Sequence, residues 1–407
     1  MKNKYMKTAS GLYINYFMLG MVNIMLASNM PYLTKQLNTD SAGVSYIISA
    51  IGIGKLLSYS ISGILSDKFG RKPLILLSAL TMGIFLVGIP LAPTYQIAFL
   101  FAILAGIANS AMDAGTYPAL IEIFPKSTGS ASVLVKAFMS AGAALLPIMI
   151  AFFADHEMFY GYSFFIPAAI YFINMMFLFM MSFPNHKIEK VHFMKGDSDN
   201  SKFRSKPQFL KEGLALIVMG FTSTSLFTVA QIWLPTYGQK VLRMTSTSSI
   251  KLLSFYSIGA LISVLALSIL LKKAIRPINV VVIYPVITFF SVLVLLTMKS
   301  TNLAIFASFF LGFSTAGVFQ LTIAIMTELF WKKKGTVTGL VATAAGLASV
   351  LLPIATGLMS KTGHISNIFI FDAAISLVGI TAAAFVNIRY RKIVKKNFNK
   401  KLRYSAS

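Results

Sequence analysis

Cysteine is missing from all 407 residues, which rules out disulfides and thiolate metal sites and leaves the redox compartment unreadable from thiols. Charge is scarce too. Lys, Arg, Asp and Glu together make up 12% of the chain, where a soluble domain carries about a quarter. Acids are the rarer sign, 12 against 36 Lys and Arg, for a net charge of +24. The four histidines, His156, His186, His192 and His364, show no ligand spacing. No phosphate-binding loop, nucleophile–base pair or metal cluster emerges from so few groups, so no enzyme activity, cofactor or metal is expected.

What fills the chain is apolar: 56% of the residues, with mean hydropathy +0.75. A membrane span needs about 20 mostly apolar residues. Breaks at polar residues, Gly and Pro leave twelve such runs: Ser10–Tyr32, Ala42–Leu65, Pro73–Ala92, Tyr95–Ile123, Ser130–Ala154, Ser163–Phe183, Gly213–Tyr237, Thr247–Leu271, Ile278–Met298, Asn302–Phe330, Thr336–Ser360 and Ile365–Ile388. The basic N-terminus leads into a run long enough to cross, so it reads as a first helix and not as a cleaved signal. One long polar stretch divides the runs six and six. The expected architecture is an all-α membrane protein: a six-helix bundle over 1–183, a linker over 184–212, a second bundle over 213–388 and a basic tail over 389–407.

The positive charges are sorted by side. Of the 36 Lys and Arg, 28 fall in segments on the side of the N-terminus, five on the opposite side, and three, Lys55, Lys136 and Lys251, inside runs. Basic residues collect on cytoplasmic loops, so both termini and the linker are expected in the cytoplasm. The basic excess then serves topology and attraction to anionic lipid, and nucleic acid is not an expected partner.

The two halves repeat. At a constant shift of 206, Glu122 falls on Glu328, Gly129 on Gly335, Pro147 on Pro353 and Gly106 on Gly312. Duplicated six-helix halves are a common way to build a central site reached alternately from either side of the membrane. Between runs two and three stands "GILSDKFGRKP". The plain reading of this stretch is a solvated turn. However, Gly63, Asp67, Lys68, Gly70, Arg71 and Lys72 stand at the spacing and position of the signature loop of the major facilitator superfamily, and the chain resembles that family over its whole length. Glu122 and Pro125, with Thr128 in place of an expected Arg, resemble a second family motif after run four. The second copy of the signature loop is eroded to "LLKKAIRP" and has no Asp.

The resemblance implies a transporter of alternating access in a bacterial cytoplasmic membrane, similar to a poorly characterised branch of bacterial permeases of which some are assigned shikimate- or quinate-type acids. A shikimate-, quinate- or sugar-acid-like solute is the expectation for this chain. The same resemblance implies a gate in which Asp67 faces the N-terminus of run eleven near Thr336. There a helix dipole favours a carboxylate by about 0.3–2 kcal/mol. Arg71 would pair with Glu122 and, in the second half, Arg276 with Glu328; Lys72 belongs to the same loop, and Gly70 gives its turn backbone freedom.

Ionisable residues at depth are functional candidates because each costs a few kcal/mol to insert. Lys55 lies mid-way along run two. Asp113 and Lys136 fall about 6 and 9 Å to the terminal side of the midplane, so they are expected to pair, either as a static packing bridge or as part of a site. The three together carry one positive charge, which an anionic, carboxylate-bearing solute would balance. The alternative for Lys55 is a side chain covered by backbone carbonyls and the Ser58 or Ser60 hydroxyls. Lys251 is expected to snorkel. Asn109, Asp113 and Tyr117 form a stripe along run four; Tyr16 and Asn23 share a face of run one; Thr228, Gln231 and Trp233 in run seven and Gln320 in run ten complete the polar candidates for solute binding. Such stripes also serve as interhelical packing. Asp113 is the candidate proton carrier, with protons as the coupling ion and a monomer as the expected unit. The rival reading, a multidrug/proton antiporter, lacks its usual Arg in run four, where Ala102 stands, and its Gly-Pro pair in run five, where the chain has "GAALLP". A receptor on a transporter scaffold would need a larger domain outside the membrane.

Overall fold

A computed structural model describes residues 4–125, 128–184, 205, 207–273, 276–298, 300–330 and 334–394. Most of the linker (185–204) and the end of the tail (395–407) lie outside the described residues. Twelve helical segments among the described residues are long and apolar enough to cross a membrane.

The first bundle holds α1 (Met6–Ser28), the short α2 (Met30–Gln36), α3 (Ser41–Phe69), α4 (Arg71–Leu91), α5 (Tyr95–Ile123), α6 (Thr128–Asp155) and α7 (Tyr162–Met180). The second holds α8 (Leu214–Lys240), α9 (Ser246–Lys273), α10 (Pro277–Thr297), α11 (Thr301–Thr315), α12 (Val318–Leu329), α13 (Lys334–Ser360) and α14 (Ile365–Ile393). Local chemistry sets several of these boundaries. Asp40 caps α3 by accepting from Gly43 N at 2.8 Å, and Thr94 caps α5, each satisfying a backbone donor left over at a helix start.

Two elements differ from the sequence expectation. The first run ends at Ser28, and Pro31 near the start of a new helix redirects the chain into α2. The tenth run, expected as one helix from Asn302 to Phe330, is two, because Gly317 takes φ +85 between α11 and α12. That left-handed conformation suits glycine and interrupts the hydrogen-bond ladder. Discontinuous helices at membrane depth recur where transporters build sites.

The repeat is physical. A Cβ added at Gly106 would sit 2.1 Å from the Ile51 carbonyl oxygen, and one at Gly312 1.8 Å from that of Tyr256. Gly54 against Ile103 and Gly259 against Phe309 show the same approach, 2.1 Å in both halves. Each half thus uses paired glycines to bring two helices into backbone contact, the close packing favoured in lipid.

The bundles touch on the side away from the termini. Ser45 Oγ donates to Pro353 O (2.6 Å), Ser254 Oγ to Ala144 O (3.1 Å) and Thr247 Oγ1 to Asp155 (3.4 Å), while Gly52 meets Ser349. Towards the terminal side the space beside Gly63 of α3 and Gly339 of α13 is free: a Cβ at either would meet nothing within 4 Å.

Candidate functional site

The glycine contacts press α3 onto α5, and Ser110 Oγ donates to the Lys55 carbonyl (2.9 Å), so Lys55 is held over the polar stripe of α5. Its ammonium lies 3.5 Å from Asp113 Oδ2 and donates to Asn109 Oδ1 at 3.2 Å. From α1 the buried Tyr16 hydroxyl donates to Asp113 Oδ1 at 2.5 Å, and its ring meets Tyr117 edge-on at 5.7 Å. Lys136 of α6 lies within electrostatic reach of both Lys55 and Asp113. Two ammonium groups around one carboxylate leave one positive charge.

The expected partner of Asp113 was Lys136; the structure gives it Lys55. Among the described residues Lys136 has no carboxylate within 4 Å. Asp113 and Lys136 share a depth along the membrane normal, but the glycine-driven contact brings α3, and with it Lys55, closer to α5. Accessibility separates the members of the cluster. The Lys55 side chain is 37% exposed and that of Asp113 13%, so the ammonium is the reachable end of the pair. Tyr59, one turn beyond Lys55, is 47% exposed and within electrostatic reach of Asp113. It was not singled out from the sequence, although its i+4 spacing from Lys55 carried the signal.

The candidates of the second bundle do not converge in the same way. Trp233 is withdrawn from the solute-binding set: it is 0% exposed and its Nε1 donates to Thr356 Oγ1 at 2.8 Å, so ring and N–H are both committed to packing α8 on α13. Gln231 is buried, Thr228 half-buried, and Gln320 exposed just past the break at Gly317. Asn23 is exposed, seven residues on from Tyr16. Around the break, hydroxyls pair with one another: Tyr256 with Thr315 (2.8 Å) and Thr288 with Ser314 (2.8 Å). Thr288, Ser314 and Thr315 line a cavity of about 10 Å³, room for about one water.

At the signature loop, Gly70 (φ +91) reverses the chain between α3 and α4. Arg71 donates to Asp67 (2.8 Å), Ser66 Oγ (3.0 Å) and Glu122 (3.2 Å), tying the loop to the end of α5. Asp67 is 58% exposed and pairs within its own loop; the Thr336 side chain lies outside the described residues. Lys72 donates to the carbonyls of Phe179 (2.6 Å) and Met181 (3.0 Å), which fastens α4 to the end of α7. In the second half Arg276 is exposed, and the Tyr390 hydroxyl donates to the Glu328 carboxylate, 3.0 Å from each oxygen. An N-terminal backbone turn before α8 brings in another pair that the sequence did not suggest: Glu212, 0% exposed, accepts from Arg389 Nε at 2.6 Å.

The sequence pattern of the Major Facilitator Superfamily matches residues 12–330 and, overlapping them, 285–406. The chain is 60% identical to the MFS-type transporter YfkL of Bacillus subtilis over 97% of this chain and 99% of that one. It is 38% identical to the inner membrane transport protein YdiM of Escherichia coli, covering 96% of each. Among solved structures, the nucleoside transporter NupG superposes with a TM-score of 0.75 at 12% identity, over 93% of this chain and 99% of that one, a likeness of fold alone.

Proposed function

Since the chain belongs to the major facilitator superfamily, and is therefore a multi-pass membrane transporter and not an enzyme, we propose that it carries a small carboxylate-bearing solute, coupled to protons, by alternating access. The observation that carries the reading is the half-exposed Lys55 ammonium, held by Asp113 and Asn109 in a cluster of net positive charge. An intramembrane lysine is expensive, and one placed at a reachable surface is suited to a carboxylate of a solute. Aromatic and hydroxyl groups at Tyr59 and Tyr117 suit a hydroxylated ring, in keeping with shikimate-, quinate- or sugar-acid-like compounds, while the buried Tyr16 holds Asp113 in place.

Coupling follows from competition. Asp113 and the solute carboxylate both seek Lys55, and two carboxylates about one ammonium repel. A proton on Asp113 removes one competitor and frees Lys55 for the solute. Loss of the solute lets Asp113 shed the proton and recapture the lysine. In this scheme Asn109 keeps Lys55 oriented through the exchange, and Lys136 supplies the remaining positive field.

We read the terminal side as cytoplasmic, from the 28 basic residues placed there against five opposite. In this reading Asp67 is the moving half of a gate that closes when α3 and α13 meet. Arg71, Glu122, Gly63 and Gly70 form the fixed part of that gate, with Glu328 its echo in the second half. The working unit is a monomer in the cytoplasmic membrane.

Uptake of labelled shikimate, quinate and sugar acids into proteoliposomes under an imposed proton gradient tests the reading. Accumulation of one of them that collapses with the gradient supports it. Movement of lipophilic cations with no carboxylate flux would overturn it in favour of drug export. For the gate, Asp67→Asn is expected to slow turnover far more than it weakens solute binding.

A further inference from the structure

A second acid lies inside the membrane, and neither the transport scheme nor the family signature uses it. Asp372 is the eighth residue of α14, about 10 Å in from the end of that helix opposite the termini. It is 0% exposed, and neither carboxylate oxygen has a hydrogen-bond partner. Among the described residues the helices packed against α14 place no counter-charge beside Asp372. On α8 the titratable groups are Tyr237, whose hydroxyl donates to the Leu295 carbonyl, and Lys240, exposed at the helix end. On α10 there is Tyr284, paired with Ser263. The described side chains of α13 include no titratable group. Arg389, Tyr390, Arg391 and Lys392 of α14 itself stand at the opposite end, beside Glu212 and Glu328. The titratable neighbour within electrostatic reach is Tyr256 of α9, and its hydroxyl is paired with Thr315 at the break between α11 and α12.

A lone ionised carboxylate cannot be held in such surroundings: a buried unpaired charge neutralises instead. A metal cation would need several oxygens converging on it, and among the described residues no metal-holding cluster forms here. A proton needs one.

We propose that Asp372 is a proton-binding site of the second bundle, separate from Asp113 and occupied by a proton in this conformation. Asp113 is satisfied as an anion by Lys55 and Tyr16, whereas Asp372 is satisfied only as a neutral acid, whose O–H can be donated to a backbone carbonyl of its own helix. The two sites lie in opposite bundles and on opposite sides of the midplane. The break at Gly317, which Thr315 and Tyr256 adjoin, is the element whose movement would alter the surroundings of Asp372 and release the proton. The assignment holds whatever solute is carried.

Infrared spectra of the purified protein in lipid vesicles, with its aspartate carboxyl carbons isotopically labelled, test this without substrate or flux. At neutral pH a protonated-carboxyl band that shifts with the label is expected in the wild type and in Asp113→Asn, and its loss is expected in Asp372→Asn. Asp113→Asn leaves Asp372 as the buried aspartate of the described chain, so that variant decides the question even if Asp372→Asn fails to fold. No labelled band in Asp113→Asn at neutral pH, or a band that survives in Asp372→Asn, would overturn the site.

Discussion

The two bundles share a backbone plan and have opposite electrostatics. One residue after Gly54 stands Lys55; one residue after its counterpart Gly259 stands Ala260, 4% exposed. Seven residues after Gly106 comes Asp113, and seven after Gly312 comes Phe319; seven after Gly129 comes Lys136, and seven after Gly335 comes Ala342. Every charge of the central cluster is thus confined to the first bundle, while the equivalent places in the second are apolar and hydroxyls around its helix break pair with one another. The glycine contacts that set helix spacing are kept in both halves. Packing and chemistry have therefore separated: the repeat retains what lets helices approach, and the site belongs to one half. A single-sided charge cluster lets the first bundle grip an ionic solute while the second closes over it with neutral groups.

Replacing the reachable charge should break the contrast most sharply. Lys55→Gln is expected to weaken carboxylate binding about 100-fold or more, the scale for losing one partner of a desolvated, hydrogen-bonded charge pair. Equilibrium binding of a labelled solute checks it, with thermal unfolding in detergent as the folding control. Retained affinity would move the site away from the first bundle. Next in size is the pair of arginines. Arg71 and Glu122 have side chains 11% and 9% exposed, so Arg71→Ala removes the guanidinium from a nearly buried carboxylate and should destabilise by about 3 kcal/mol. Arg276→Ala, at an exposed side chain, should stay within about 0.5 kcal/mol. Equal losses in the two variants would mean that the eroded loop of the second half holds its helices as firmly as the signature loop of the first.

Much of this contrast could be read from residues alone. The twelve spans were legible because lipid demands long apolar runs, and Tyr95–Ile123 coincides with α5 to the residue. The repeat was legible because glycine and proline positions are fixed by backbone contact. The composition of the Lys55–Asp113 cluster was legible from the rarity of charge in spans, but its pairing was not. Depth along a helix can be counted, whereas which neighbour leans closest depends on interhelical packing. Trp233 shows the same limit from the other side: an aromatic in a polar stripe reads as a ligand contact, and only the Thr356 hydroxyl 123 residues away shows where its N–H is spent. Asp372 was open to view as an acid in the last apolar run. Its isolation, the property that matters, exists only in three dimensions.

The shared glycines offer a test in which the halves should behave alike. Gly106→Ala and Gly312→Ala each place a methyl within about 2 Å of a facing carbonyl oxygen. Overpacking of this kind costs about 1–3 kcal/mol, and both variants should lose thermal stability by a similar amount. Their functional effects should diverge. A methyl at Gly106 also lies 2.6 Å from the Lys55 backbone nitrogen and must displace the residue that carries the charge, so solute affinity should fall in Gly106→Ala. In Gly312→Ala the nearest backbone is that of Tyr256, outside the cluster, and affinity should hold. A matched drop in affinity would show that the second bundle contributes to binding through its backbone.

The smallest expected effect concerns Trp233, which separates packing from recognition in the second bundle. Trp233→Phe keeps a large ring in a fully buried position but removes the N–H that Thr356 accepts. One buried hydrogen bond is worth about 1 kcal/mol net. Thr356 keeps an alternative, because its hydroxyl also donates to the Leu352 carbonyl at 2.6 Å, so its oxygen is not left wholly unpaired. A modest fall in unfolding temperature with unchanged solute affinity is therefore expected. A fall in affinity larger than the fall in stability would place the indole at the solute in the opposite state of the cycle, where α8 and α13 would have to part. The two arms of the comparison, charged first bundle and neutral second, would then meet at that ring.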